Sequence, residues 1–330
     1  MTISKKKKSV CVIGGAGCIG SAVVNYLNKK NYHVKLFDLC EQIDIKGKSF
    51  PKDVEIIEGS VLDKSSLQRL IKTGDIVIHL AASLGVKNTE ENLYRCYQIN
   101  VKGTENVLDI CLQRKIKKLI FSSSSEVYGE PLKNPIKESF PVYAKSFYAV
   151  TKLMGENLIK SYSQMDPNLK YVILRFFNTY GKYQVAQFAI PKFIYRAKNK
   201  LPIQINGDGN QTRSYCHAND TAIAVEKSLN NKRAENKIFN IGNSKELIKV
   251  KDLARLIVKK VGNKNKITLN KNFKQADRSV SREIYNRFCD GSQAKKILKF
   301  TAKITLSEGL DELIYYKIRK NWPNLWKKKK

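Results

Sequence analysis

Between Ser9 and Leu27 the chain passes from a short β-rich run, Ser9 to Ile13, straight into Gly14-Gly15-Ala16-Gly17-Cys18-Ile19-Gly20 and then into an apolar-periodic segment. Strand, glycine turn and helix in that order leave few folds open. Glycines spaced as at 14, 17 and 20 let a backbone turn tightly and approach a pyrophosphate, while the following helix offers unpaired N–H groups to the anion. Gly14, Gly17, Cys18, Ile19 and Gly20 are therefore the expected dinucleotide contacts. The next β-run, His33 to Phe37, ends at Asp38, whose carboxylate falls where an adenosine ribose needs an acceptor. No Arg or Lys follows Asp38 directly, so NAD is favoured over NADP, whose extra phosphate the aspartate would repel.

Apolar β-runs alternate with helical periodicity through the first half, the pattern of a parallel sheet covered by helices on both faces. Strands are expected near 9–13, 33–37, 54–58, 75–80, 118–122 and 171–176, with helices between them, notably over 93–113 and 145–163. After Phe176 the rhythm loosens into a Gly/Asn loop at 206–210, a helix near 219–229, a short strand at 237–241 and a helix near 250–261. Thr305-Leu306-Ser307-Glu308 has capping-box spacing before a last helix that runs to about Lys320. At 330 residues the chain exceeds the usual single-domain length. An α/β organisation follows: a Rossmann-type, doubly wound parallel sheet over residues 1–178, and a smaller substrate-binding lobe over 179–330, packed closely against the first or interleaved with it.

No apolar run is long enough to span a bilayer, so no membrane insertion is expected. Lys5 to Lys8 ahead of Ser9 to Val24 imitate a secretory signal, but the glycine turn accounts for that stretch better. The seven cysteines include no CxxC and no paired metal-ligand spacing; no metal site and a cytoplasmic, reducing location are expected. Cys11 and Cys111 fit small core residues, and His79, at the end of an apolar strand, a packed histidine. The formal net charge of +32 would draw phosphate polymers. Lysines scattered through every segment, without a nucleic-acid motif, argue against a specific nucleic-acid partner, and the runs Lys5 to Lys8 and Lys327 to Lys330 read as solvated tails. Such a surface would still steer an anionic substrate toward a cleft.

Tyr148 and Lys152 lie four residues apart in the 145–163 helix, which stacks the hydroxyl and the ammonium in one small volume. A cation there favours phenolate, so Tyr148 is expected to have a lowered pKa and to act as an acid/base near neutral pH. Strand five finishes in Phe121-Ser122-Ser123-Ser124-Ser125-Glu126-Val127-Tyr128-Gly129, a polar cluster at the sheet's carboxyl edge, where open α/β sheets bind ligands.

Taken together, the glycine turn, Asp38, the serine run and YxxxK resemble the extended short-chain dehydrogenase/reductase superfamily, specifically its nucleotide-sugar epimerases, dehydratases and decarboxylases. The similarity spans nearly the whole chain. Val61-Leu62-Asp63 resembles an adenine-contacting turn, His79-Leu80-Ala81-Ala82 the strand-four signature, and Asn100 the family's structural asparagine. Farther along, Asn178 in Arg175-Phe176-Phe177-Asn178 is similar to a substrate-contacting asparagine, Arg213 in Gly207-Asp208-Gly209-Asn210-Gln211-Thr212-Arg213 to a diphosphate clamp, and Arg287 with Asp290 to a substrate-binding Arg-x-x-Asp. The resemblance implies that Asp63, Leu80, Ala81, Ala82 and Asn100 serve the cofactor, with Asn178, Arg213, Arg287 and Asp290 on a nucleotide-sugar. It also supplies roles. Tyr148 would take the proton of the sugar's 4-hydroxyl while C4 gives hydride to NAD⁺; Ser124 would hydrogen-bond that oxygen, and Lys152 would bind the nicotinamide ribose. The resulting 4-keto sugar branches to 4-epimerisation, 4,6-dehydration or, from a uronate, loss of CO₂. Glu126 is the discriminator: Ser125-Glu126 stands where 4,6-dehydratases carry Asp-Glu, so the acid that would protonate a leaving hydroxyl is missing. The implied activity is a UDP-hexose 4-epimerase, with UDP-glucuronate decarboxylase or NDP-sugar 4,6-dehydratase as alternatives, then a net reductase and a non-catalytic dinucleotide-binding relative. Relatives pair through two helices, so a homodimer through 93–113 and 145–163 is expected.

Overall fold

The computed structural model describes residues 7–45, 50–271, 273, 280 and 283–319; the tail residues Lys5, Lys6 and Lys327 to Lys330, and Lys320 at the expected helix end, lie outside this set. Six strands alternate with helices through the first half: β1 (Ser9–Ile13), β2 (His33–Asp38), β3 (Glu55–Glu58), β4 (Ile76–His79), β5 (Lys118–Ser124) and β6 (Lys170–Phe176). A seventh, β7 (Lys237–Ile241), completes one sheet in the order β7-β6-β5-β4-β1-β2-β3, all pairs parallel. Successive side chains leave a strand on opposite faces. Val10, Val12, Val34, Leu36, Ile120 and Val172 accordingly enter one core with α1 (Cys18–Lys29) and the later helix Ala218–Leu229. Their neighbours Cys11, Ile13, Phe37, Leu119, Phe121 and Ile173 enter the other, under α2 (Lys64–Leu70), α3 (Gly103–Gln113) and α4 (Phe147–Met165). The sheet is covered on both faces, which is why its strands read as nearly continuous apolar runs.

Two sequence expectations need correcting. The strand at 237–241, assigned to the second lobe, pairs with β6 in the main sheet, because Phe239 and Ile241 are fully buried there and β6 would otherwise expose a hydrogen-bonding edge. Its preceding helix, α6 (Ala218–Leu229), packs on α1 rather than in the lobe. The helix over 93–113 is also not continuous: Leu93–Tyr97 and α3 are joined through a π-helical turn, Gln98–Lys102, and such widened turns gather at functional sites. The lobe proper is built from α5 (Ala189–Lys198), α7 (Val250–Val261) and α8 (Leu306–Arg319) around Ile190, Phe193, Leu253, Ile257, Leu310 and Leu313. The capping box before α8 forms: Glu308 N–H donates to Thr305 Oγ1 at 3.2 Å and Thr305 N–H to Glu308 Oε2 at 2.9 Å. Cys11 and Cys111 are core residues as expected, and His79 is packed, its Nε2 3.0 Å from Thr104 Oγ1.

At the amino edge of the sheet Lys35 is buried with Asp75, 2.6 Å from its carboxylate and 2.9 Å from the Leu70 carbonyl. Removing one partner of a buried pair strands the other charge. Asp75→Asn is expected to lower unfolding stability by about 3 kcal/mol, measured as a shift in urea midpoint at unchanged slope; a loss below about 1 kcal/mol would show the pair to be neutral.

Candidate active site

A cavity of about 810 Å³ runs along the carboxyl edge of the sheet and continues between it and the lobe. Its dinucleotide end is shaped by the glycine turn. Gly14 has φ +83°, and a Cβ built on it would lie 2.5 Å from the Ala81 backbone nitrogen; one on Gly20 would lie 2.0 Å from the Gly14 carbonyl oxygen. Neither position tolerates a side chain, so bare backbone forms the cavity wall there. Gly14, Gly17, Cys18, Ile19 and Gly20 all face the cavity, as do Leu80, Ala81 and Ala82 from the end of β4. Asp38, at the tip of β2, accepts the Ala16 N–H at 2.8 Å through one carboxylate oxygen and the Leu39 N–H at 2.9 Å through the other. It lies on the same wall.

Two residues given to the cofactor sit elsewhere. Asp63 caps α2, accepting from the Ser65 N–H at 2.9 Å and from the Ser65 and Ser66 hydroxyls; the hydroxyl of Ser66 first, then that of Ser65, holds its pKa down at about 2. The cavity wall at this turn is instead Gly59, Ser60 and Val61. Asn100, in the π-turn, clasps the loop after β4: its Oδ1 accepts the Ser83 N–H at 2.7 Å, and its Nδ2 donates to the Ser83 carbonyl at 3.1 Å and to Thr151 Oγ1 at 3.0 Å. It shapes the wall from behind.

Beyond the tip of β5 the same cavity is lined by Ser124, Glu126, Tyr148, Lys152, Asn178 and Arg287. Ser146 caps α4, accepting the Ala149 N–H at 3.1 Å, and donates its hydroxyl to Glu126 Oε2 at 3.2 Å. Glu126 Oε1 lies 3.6 Å from an Arg287 nitrogen, and Arg287 donates to Asn178 Oδ1 at 3.2 Å. Lys152 is buried and donates to the Ser122 carbonyl at 2.8 Å, its ammonium 6.0 Å from the Tyr148 ring centre. The expected lowering of the Tyr148 pKa is corrected here. Burial raises it and the Glu126 carboxylate adds to the rise, against the hydrogen bond from Ser124 and the charge of Arg287, so the phenol titrates well above 10. Burial likewise lowers Lys152 to about 8, with Cys96 and Glu156 opposing.

Toward the lobe, Arg213 is buried and held by Glu283 Oε1 at 2.9 Å and by the Thr212 and Tyr285 carbonyls at 3.0 Å. It faces the cavity. Asp290 does not line it: its carboxylate accepts the Ser292 N–H at 2.7 Å and caps the following turn. The reading of Arg287 and Asp290 as a joint substrate clamp is thereby corrected, since Arg287 turns to the Tyr148 end while Asp290 is spent locally. Glu283 and Ser146 were missed from sequence. Ser146 carried a signal, an N-cap residue two before Tyr148; Glu283 had none, because its partner lies 70 residues away.

Among the described residues no cluster of His, Cys, Asp or Glu could hold a metal, and no helix is long and apolar enough to cross a membrane. The model of the NAD dependent epimerase/dehydratase family matches residues 10–242. The chain belongs to that family. A Methanocaldococcus jannaschii protein, provisionally named a UDP-glucose 4-epimerase, is 34% identical over 314 residues, covering 92% of this chain and 97% of its own. UDP-N-acetyl-alpha-D-glucosaminuronate decarboxylase of Bacillus cytotoxicus is 32% identical, covering 94% and 98%. In structure, the chain is similar to a Bacillus cereus UDP-glucuronic acid 4-epimerase variant in complex with a UDP-4-deoxy-4-fluoro-glucuronic acid and NAD: TM-score 0.84, 28% identity, 93% of this chain and 98% of that one. NAD is the cofactor, and the side-chain-free cradle at Gly14 and Gly20 with Asp38 on the same wall fits it.

The depressed Lys152 pKa has a stability consequence with a definite sign. With no ligand added, the unfolded chain holds a proton on Lys152 between about pH 8 and 10.5 that the folded protein lacks, so this group's contribution to stability rises with pH across that window. Chemical denaturation of the protein and of Lys152→Met at pH 7 and pH 10 measures it. The wild-type protein should gain stability relative to Lys152→Met between pH 7 and pH 10, and a difference that stays constant would contradict the shift.

Proposed function

We propose that the protein is a UDP-hexose 4-epimerase working through a transient 4-keto sugar. The observation that carries this reading is the meeting of Ser124, Tyr148 and Lys152 at one end of the cavity, in line with the glycine turn and Asp38 at the other. Bound NAD supplies the acceptor, and later the donor, for the C4 hydride. Tyr148 takes the proton of the 4-hydroxyl and later returns it; Ser124 hydrogen-bonds the same oxygen and fixes its direction. Because Tyr148 rests protonated, its work as a base relies on nearby positive charge, for which Lys152 and Arg287 are the cationic groups at this end. Arg213, braced by Glu283, faces the part of the cavity under the lobe and suits a diphosphate. Asp38 takes the adenosine ribose. Seven free thiols support a reducing, cytoplasmic location.

Ser125 is buried at the position where a dehydratase needs a proton donor, which weighs against water loss. A second reading, uronate decarboxylation, is favoured by one observation: the Glu126 and Arg287 pair at the Tyr148 end, charges suited to a substituent at C5 or C6. The Bacillus cytotoxicus relative points the same way. Offering UDP-glucose, UDP-N-acetylglucosamine, UDP-glucuronate and dTDP-glucose to the purified protein separates the outcomes by mass and NMR. Unchanged mass with inverted C4 is expected; loss of CO₂ would favour the second reading, and steady consumption of added NADH with a keto sugar would make it a reductase. Tyr148→Phe should lower turnover by about 10²–10⁴-fold with NAD affinity nearly unchanged; wild-type rates in that variant would end the assignment.

The homodimer belongs to this reading too. Leu93, Tyr94, Val150 and Met154 are exposed large apolar residues on the two helices expected to pair, an arrangement that favours association with a like surface. Sedimentation velocity should give a dimer, converted to monomer by Val150→Lys with Met154→Lys. A monomeric wild-type chain at micromolar concentration would remove the dimer from the proposal.

A further inference from the structure

A further buried charge pair lies one helical turn beyond Lys152. Glu156, on α4, is fully buried; it binds Arg175 of β6 through both carboxylate oxygens, at 2.9 Å and 2.7 Å, and accepts the Ser123 hydroxyl of β5. Ser123 and Arg175 are register partners across the β5–β6 ladder, so one carboxylate ties the tips of two strands to the helix above them. The helix also sits unusually close at this turn: a Cβ on Gly155 would lie 2.6 Å from the Phe121 ring. Arg175 continues the lock, its guanidinium 4.7 Å from the Tyr128 ring centre, and the Tyr128 hydroxyl donates to Asn240 of β7 at 2.8 Å. Glu156, Arg175, Tyr128 and Asn240 do not line the cavity, whereas Ser123 and the residues on either side of it do: Ser124 faces Tyr148, and the Ser122 carbonyl holds Lys152.

We propose that Glu156 is the positioning residue of this site, setting the register of α4 on the tip of β5 so that Tyr148 meets Ser124 and Lys152 meets the Ser122 carbonyl. A buried pair of this kind is weak evidence for stability, because its desolvation offsets its attraction. Its geometric effect is different. Three serines in sequence are each fixed to α4 or to its neighbouring turn, and the middle bond, Ser123 to Glu156, is made by a buried carboxylate that Arg175 of β6 holds in place through both oxygens. A slip of about 1 Å in such a junction is enough to reduce turnover by about 10²-fold. The inference rests on the reading of Tyr148, Ser124 and Lys152 as the reacting set, and its test includes a measurement that needs no turnover.

Lys152 is faced by Glu156 and Tyr148 on its own helix, by Cys96 from the helix Leu93–Tyr97 and by His79 from β4. In the protein with no ligand added, competitive acetylation of Lys152 followed by peptide mass spectrometry gives its titration midpoint. Glu156→Gln should move that midpoint to lower pH. Ser123→Ala, which keeps every charge, should move it too if the amine depends on the register. For turnover, Glu156→Leu with Arg175→Met removes both charges together and keeps a packed interior. It should melt no lower than Glu156→Gln, while kcat per folded molecule falls about 100-fold and KM for the UDP-sugar stays within about threefold. If the double variant retains wild-type kcat, or if Lys152 titrates unchanged in Ser123→Ala, the positioning role is overturned. A protein inert toward every UDP-sugar but with a displaced Lys152 midpoint in Ser123→Ala would sink the epimerase reading and leave the positioning role standing.

Discussion

Backbone lying directly on backbone, where the glycine turn meets the end of β4, is the contact from which the rest of the site is built. Gly14 and Gly15 donate to the Phe37 carbonyl at 2.8 Å and 3.1 Å, and Leu80 donates to the Ile13 carbonyl at 2.8 Å, so the turn is pinned from both neighbouring strands. No side chain separates it from Ala81. This closeness opens a channel for a dinucleotide along the carboxyl edge, and it also fixes the start of α1, which packs on α6. Since α6 leads into β7 and β7 closes the sheet beside β6, the binding turn at residue 14 and the strand carrying Arg175 belong to one packed body.

Charge inside that body is handled by pairing. The chain is strongly basic overall, yet each buried cation near the site has a specific anion or carbonyl: Lys152 the Ser122 carbonyl, Arg175 Glu156, Arg213 Glu283. For the proposed anionic substrate, long-range attraction would then come from scattered surface lysines and weaken with salt, while orientation would come from guanidinium groups already held in place. A preformed clamp loses less rotamer freedom on binding than a free surface arginine would.

How much of this was legible in the sequence depended on whether the signal was local. The glycine turn, Asp38 at a strand end, the Thr305 to Glu308 capping box and the four-residue step from Tyr148 to Lys152 are set by spacing within one element, and each falls in the expected element. Contacts across the chain left no such trace. The strand at 237–241 read as part of the lobe because a parallel strand returning after a long excursion carries no turn signal to its neighbour. Arg287 and Asp290 looked like a pair three residues apart, but a two-residue strand followed by a capped turn points them to different places. The Ser123, Glu156 and Arg175 junction could be found only once the register of β5 against β6 was known, and the Glu283 partner of Arg213 only once segments 70 residues apart were brought together.

Tyr148 shows the limit of even the local signal. Spacing put a cation beside a phenol, and the expected consequence was a depressed pKa; in the structure the ammonium turns to the Ser122 carbonyl, and burial with the Glu126 carboxylate moves the phenol the other way. Neighbourhood is inherited from sequence, whereas protonation follows from the depth of the cavity and from every charge around it. A tyrosine that rests protonated is already set as an acid, the role required when a carbonyl is reduced to an alcohol. In the proposed reaction its duty as a base is the half that must be created on binding, by positive charge brought against the phenol. For the proposed reaction the site is therefore asymmetric at rest: burial favours the phenol that donates a proton, and abstraction depends on what fills the cleft.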